Sequence, residues 1–355
     1  MQTSAPLATV SMNSNLTCDV FTYKEVAHII FPIFYTVVFV ISLLGNSLVL
    51  FITCQSRKKL NTTSVYLVNL AVSDALFTLA LPGRITYYIR EFDWPFGEAL
   101  CRVTAVLFYS NTYAGIAFMT CISLDRYLAM VHPHRYRGLR KVQTARRVCC
   151  LVWAIVFLET APLLCRQMVQ KTQGRHTCME YFNLNASPML PYLLLLACGV
   201  GFCFPLGLIL FCYSRISLKL SRTARHNSVM DRSGRSNRAK SIILVILGTF
   251  LVCFSPYHIT IIQFMVRNLL ATPSCDDLKA FKMALQVTVS LMNLNCCLDP
   301  VIYFFAIKTY KRRVVSFFKL RLSTMATSNL KSEPENSSII FRSCSKVNKG
   351  QSISD

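Results

Sequence analysis

The sequence predicts an all-α membrane protein, a seven-transmembrane helix bundle with a short amphipathic cytoplasmic helix behind it. Three observations predict this. Seven apolar stretches of 18 to 27 residues recur along the 355 residues, and about 20 helical residues cross a hydrocarbon core about 30 Å thick. Of the 54 formally charged residues, only Asp74, Glu159 and Asp299 lie inside these stretches. The charges between them are lopsided: 28 of the 38 Lys and Arg fall in alternate connecting segments and 10 in the others. That bias marks the basic segments as cytoplasmic.

The elements follow in order. Residues 1–26 form an extracellular N-terminus with no basic stretch ahead of a short apolar one, so the first span is expected to serve as its own uncleaved signal. The spans run over Ala27–Thr53, Thr63–Gly83, Val103–Leu124, Val148–Cys165, Met189–Ser214, Ser241–Val266 and Met283–Ile307, so that residues 27–307 make the bundle. Residues 308–322 place Tyr310, Val314, Phe317 and Phe318 at helical spacing among Lys311, Arg312, Arg313 and Lys319, as in a helix lying on the inner leaflet. Residues 323–355 are rich in Ser, Thr, Asn and Lys and read as a disordered cytoplasmic tail open to phosphorylation. The net charge of +22 in a chain that is 53% apolar thus points to membrane lipids or a cytoplasmic partner, with no nucleic acid. Sequons at Asn15 and Asn185 fall outside the membrane and are glycosylation candidates, whereas those at Asn61 and Asn336 fall inside.

Four of the 16 cysteines, Cys18, Cys101, Cys178 and Cys275, lie in the expected outer segments. That compartment is oxidising, and four cysteines allow three pairings, with free thiols as the alternative. A Cys101–Cys178 bridge would pin the loop after the fourth span across the bundle mouth. Cys18 with Cys275 would then tie the N-terminus to the last outer loop. The cysteines inside the spans read as small apolar residues, and no metal-binding spacing appears among them.

An ionisable group inside a membrane is costly and therefore a candidate functional residue. Asp74 and Asp299 could share a polar cavity with Asn46, Asn111 and Asn295, suited to a sodium ion or a shared proton; plain hydrogen-bonded helix packing is the alternative. Arg126, at the inner end of the third span, has Asp125 beside it to hold its guanidinium. Pro256 and Pro300 each remove a helical hydrogen bond and are expected to kink their spans.

These residues stand in a fixed order: Asn46 in GNSLV, Asp74 in LAVSD, Asp125-Arg126-Tyr127, Trp153, Pro205 with Tyr213, Cys253-Phe254-Ser255-Pro256, and Asp299-Pro300-Val301-Ile302-Tyr303. Together, across seven spans, they resemble the class A (rhodopsin-like) G-protein-coupled receptors over nearly the whole chain. The segments ALCRVTAVLFYSNTYAGIAFMTCISLDRYLAMVHPHRY, HTCMEY, CFSPYHITIIQ and NLNCCLDPVIYFFA are similar to the oxysterol-sensing members of that family.

The resemblance implies a plasma-membrane, multi-pass receptor that is not an enzyme. Its ligand would be a dihydroxylated oxysterol such as 7α,25-dihydroxycholesterol, its partner a heterotrimeric G protein of the inhibitory class, and its output immune-cell migration. Receptor kinases and arrestin would act on the tail. It implies that Arg84, Tyr109, Tyr113 and Tyr257 contact the oxysterol. Asp125, Arg126, Tyr127, Tyr213, Phe254, Pro256, Asp299, Pro300 and Tyr303 would serve activation and coupling, Phe254 standing where the family usually has tryptophan. It favours sodium at Asp74, Asn111, Asn295 and Asp299, the sole expected cofactor, held weakly because Gly115 replaces a frequent Ser ligand. Residues Arg235 to Arg238 lack the acid with which many relatives lock the arginine of the third span, so a weak resting lock and ligand-free signalling are expected.

The third span carries Phe108 where amine receptors have an aspartate, and the seventh Asn293 where opsins have the retinal lysine, so the resemblance argues against amines and retinal as ligands. The outer half instead offers Arg84, Tyr87, Tyr88, Phe108, Tyr109, Tyr113, Tyr257 and His258, aromatic walls with a few polar groups, as suits a rigid apolar ligand. A peptide or chemokine-like ligand is the alternative, disfavoured by outer segments with 10 basic and 8 acidic residues. A polytopic transporter is the alternative from another class, but no inverted repeat or paired helix break is evident. Glu159 fits either the pocket or the membrane interface.

Overall fold

A computed structural model of the chain describes residues 23–55, 61–136, 138–172, 174–179, 189–226, 234–306 and 310–316. The chain divides into two units, Met1–Lys311 and Arg312–Asp355. In the first, seven helical spans are long and apolar enough to cross a membrane: α1 (Lys24–Gln55), α2 (Thr62–Ile89), α3 (Gly97–Val131), α4 (Val142–Leu164), α5 (Pro191–Arg222), α6 (Ser241–Leu270) and α7 (Cys275–Ala306). An antiparallel hairpin, β1 (Val169–Thr172) and β2 (Arg175–Cys178), follows α4 and pairs Val169 with Cys178. Gly174 turns it with a left-handed φ of +79°. In the second unit the described residues 312–316 are helical.

The helices outrun the apolar stretches. α3 starts six residues before Val103 and ends seven after Leu124. Charge-free length measures the hydrocarbon, whereas a helix continues for as long as its polar side chains find partners: Glu98 and Arg102, one turn apart, pair at 2.7 Å. Burial follows the inverse logic of a lipid-solvated bundle. In α1, Tyr35, Val38, Ser42, Asn46, Val49 and Ile52 are buried at helical spacing, while large apolar side chains such as Ile33 and Leu44 face outward. The polar residues on the inner face are the ones that find hydrogen bonds there.

Proline shapes three spans. Immediately before Pro205 in α5 and Pro256 in α6 the helix widens to a single π turn. Phe204 N–H bonds back to Gly199 O, and Ser255 N–H to Phe250 O. Each proline offers no donor to the carbonyl four residues earlier and its ring crowds it, so the turn takes up an extra residue. In α7 the irregularity falls at Leu294, where helix Cys275–Asn293 gives way to helix Asn295–Ala306, and Pro300 sits inside the second segment. The carbonyl that Pro300 leaves without its helical donor, Cys296 O, accepts from Asn46 Nδ2 at 3.1 Å. One residue earlier in α1, Gly45 admits the Pro300 ring: a Cβ there would lie 2.5 Å from Pro300 Cγ.

Candidate ligand site and polar core

At the hairpin end of the bundle a small cavity of about 30 Å³ is lined by Arg84, Phe108, Tyr109, Met179, Tyr257, Ile261, Leu285, Gln286 and Val289. Three of the four residues expected at the ligand, Arg84, Tyr109 and Tyr257, line it. The fourth, Tyr113, stacks on Tyr109 one turn below, ring centroids 6.5 Å apart, and would meet a Cβ at Gly201 at 3.0 Å. The guanidinium of Arg84 is held in place. Its Nη2 donates to Tyr88 Oη at 2.9 Å, Tyr88 Oη donates to Gln286 Oε1 at 2.8 Å, and the cation lies over the rings of Tyr87 and Tyr88.

Sequence reasoning missed Met179, Ile261, Leu285, Gln286 and Val289. Gln286 carried a signal, being a polar residue two turns before Asn293 on a mostly apolar span. Met179 carried none beyond adjacency to Cys178. Its backbone takes a left-handed φ of +63°, which turns the chain just after the bridge.

The hairpin is fastened on three sides. Cys101 at the start of α3 is bridged to Cys178 across a separation of 77 residues. Glu98 accepts from the backbone N–H of Met168 at 2.7 Å and of Val169 at 2.9 Å. Asp93 accepts from His176 N–H at 3.0 Å, and this bond holds its carboxyl below the ordinary value. Trp94 N–H donates to His176 O at 2.7 Å. Cys275 is also disulfide-bonded; Cys18, Asn15, Asn185 and the tail lie outside the described residues. Asn61 caps α2, its Oδ1 accepting from Ser64 N–H at 2.9 Å.

Mid-bundle, a polar core joins α1, α2, α3 and α7. Asn111 Nδ2 donates to Asp74 Oδ1 at 2.9 Å, and Tyr303 Oη donates to Asp74 Oδ2 at 3.3 Å and to Asn46 Oδ1 at 3.1 Å. Asp299 faces Asp74, yet neither of its fully buried oxygens has a hydrogen-bond donor, and Asn295 Nδ2 beside them has no acceptor. Two facing carboxylates can be bridged only by a cation or a shared proton. The oxygen-rich set would suit either a small hard ion or that shared proton. A Cβ at Gly115 would lie 3.3 Å from Asn295 Nδ2.

At the far end, Asp125 is buried and draws two cations: Arg126 Nη2 at 2.6 Å and Arg140 Nε at 3.6 Å. Thr63 Oγ1 also donates to it at 2.6 Å, and Arg126 reaches Thr63 as well. Tyr127 Oη lies 3.2 Å from His132 Nε2. Tyr213, on α5, is half-buried and Tyr303 stays in the polar core. Phe254, fully buried, packs on Phe250 and approaches Gly115. Trp153 Nε1 donates to Asn69 Oδ1 at 2.9 Å, joining α4 to α2. Glu159 lies on the exposed face of α4.

Seven spans around a buried carboxylate core, with a bridged hairpin at one end and an Asp-Arg-Tyr triplet at the other, define a membrane receptor. The chain belongs to the rhodopsin family of 7 transmembrane receptors, whose pattern matches residues 45–303. This is a receptor family and not an enzyme family, and it makes the chain a multi-pass membrane protein. Among its relatives, the chain is 46% identical over 337 residues to G-protein coupled receptor 183 of Rattus norvegicus, covering 94% of each chain. It is 47% identical over 323 residues to the receptor of that name from Homo sapiens, covering 90% of each. It is 36% identical over 258 residues to G-protein coupled receptor homolog FPV206 of Fowlpox virus, covering 71% of this chain and 80% of the relative.

Proposed function

We propose that this receptor binds a dihydroxylated oxysterol in the cavity beneath the hairpin and activates a G protein of the inhibitory class at the Asp125 end, directing immune-cell migration from the plasma membrane. The hairpin then faces outside and the basic loops inside, where receptor kinases and arrestin act on the tail. The observation that carries this reading is the cavity's lining: an apolar, aromatic wall of Phe108, Tyr109, Tyr257, Ile261, Leu285 and Val289 beside Arg84 and Gln286, which hydrogen bonds to Tyr88 orient. A rigid hydrocarbon with a few hydroxyls matches such a surface, and a cationic amine meets no carboxylate among the lining residues.

Signalling requires that ligand contacts favour the state in which the Asp125 end is open to the G protein. The polar core lies between the two sites, and Tyr303 is the side chain positioned to change partners, since it now bonds Asp74 and Asn46. A sodium ion held by Asp74, Asn111, Asn295 and Asp299 would supply charge compensation that stabilises the present arrangement. The test is G-protein activation by an oxysterol panel with and without pertussis toxin, comparing Arg84→Ala and Tyr257→Phe at matched surface expression. Loss of potency in both supports the pocket, and unchanged potency in both defeats it.

A further inference from the structure

The chain leaves α2 through a strained turn. Glu91 N–H donates to Tyr88 O at 3.0 Å and Phe92 N–H to Tyr87 O at 2.9 Å. These are the two bonds with which a helix closes when the first residue past its end turns left-handed. Glycine usually stands at that place, for want of a Cβ. Here it is Glu91, with a φ of +52°, and Phe92 after it is left-handed too, at +67°. Two successive non-glycine residues in that region persist only where their surroundings hold them.

Both are held. Arg175, the first residue of β2, donates from Nη1 to Glu91 O and from Nη2 to Glu91 Oε2 at 3.0 Å. It grips the backbone and the side chain of the turn at once, a fork that lysine cannot make. Phe92 is 1% exposed. Its ring meets Tyr87 edge-on at 5.5 Å and Tyr88 edge-on at 5.4 Å. Those two rings carry the guanidinium of Arg84, which lies 5.4 and 5.2 Å from their centroids and donates to Tyr88 Oη. A run of direct contacts therefore joins the hairpin to the one cation in the cavity's lining.

Resting on the oxysterol reading above, we propose that Phe92 and Arg175 are positioning residues for Arg84: the hairpin arginine holds the left-handed turn closed, the turn seats Phe92 against Tyr87 and Tyr88, and those rings aim the guanidinium at the ligand. Neither residue is among those that line the cavity, and both act through Arg84. A guanidinium donates along fixed directions in its own plane, so tilting the rings that carry it weakens its hydrogen bond to a ligand oxygen without removing the charge.

The experiment measures the potency of 7α,25-dihydroxycholesterol in G-protein activation by the full-length chain at matched surface expression. Phe92→Ala is expected to lower potency by about tenfold, the upper worth of an aromatic pair. Arg175→Ala should lower it by about two- to fivefold, as for a partly exposed ion pair. Both losses should shrink to within about twofold when Arg84 is replaced by Lys, which keeps the charge but has no planar fork for the rings to orient. Arg84→Gln carries the same test if Arg84→Lys gives no response. A merely structural role predicts equal losses in both backgrounds, and that result overturns the proposal, as does undiminished potency in Phe92→Ala and Arg175→Ala. In either case a responding wild type leaves the oxysterol reading standing. A wild-type receptor silent to the sterol overturns that reading, and the positioning role with it.

Discussion

Arg140 approaches Asp125 to 3.6 Å on the carboxylate oxygen that Arg126 leaves unused. One buried acid therefore divides its attraction between the arginine of the Asp-Arg-Tyr triplet and a second arginine from the loop before α4. Thr62 Oγ1, donating to Arg140 O at 3.0 Å, anchors that loop. This competition is expected to weaken the resting hold on Arg126, as the sequence expectation from residues 235–238 also has it.

Removing the competitor should tighten the hold. Arg140→Ala is expected to lower ligand-free G-protein signalling by about two- to fivefold, because partly exposed ion pairs contribute up to about 1 kcal/mol. Asp125→Asn, which releases both arginines, should raise it. Basal nucleotide exchange at matched surface expression reads both, and changes of the same sign would refute the shared-acid account.

The facing carboxylates predict an ion dependence. Raising sodium in place of a bulky organic cation should reduce agonist potency in the wild type by about three- to tenfold, the usual size of coupling between sites. Asp74→Asn should remove this dependence, since one neutral partner ends the need for a bridging charge. Gly115→Ser, whose hydroxyl would sit beside the orphan Asn295 amide, should strengthen it once the amide shifts by a few tenths of an ångström.

The hairpin gives a pair of stability predictions. Cys101→Ser should cost about 4 kcal/mol, since the bridge closes a loop of 77 residues, and the thermal midpoint of the purified receptor should fall accordingly. Asp93 contributes differently. Its carboxyl is held low by His176 N–H, so its contribution is present above the ordinary carboxylate value near about 4 and is lost as pH falls through the depressed folded value. The emission of Trp94, which bonds His176 O, should report this loss on acidification. Asp93→Ala should abolish that transition.

Gly45→Ala should abolish surface expression or lower stability by about 1–3 kcal/mol, because the rigid Pro300 ring cannot retreat from a Cβ 2.5 Å away. Gly207→Ala and Gly248→Ala, where a Cβ meets nothing within 4 Å, should be tolerated. A thermostability assay on the three variants distinguishes the cases.

Much of the bundle was legible because lipid imposes one rule: buried backbone must bond to itself, so every span is a helix and its apolar length can be counted. The helix ends were not, since Glu98 and Arg102 extend α3 through contacts made in space. Nor was the break in α7. Pro300 marks a missing donor, but Asn46, 250 positions from Cys296, satisfies that residue's carbonyl, and the irregularity moves to Leu294. Arg84, Tyr109 and Tyr257 could be named from residue type and position, whereas Gln286 and Met179 reach the cavity only through the hydrogen bond from Tyr88 and the turn after Cys178.

By itself the sequence determined how many times the chain crosses the membrane and which polar residues are stranded within it, because the transfer cost of a charge depends on residue type and depth alone. Only the tertiary structure decided what each stranded group does. Asp299 is left facing Asp74 and Arg140 shares Asp125, because hydrogen bonds and ion pairs depend on distances between helices that no single helix specifies.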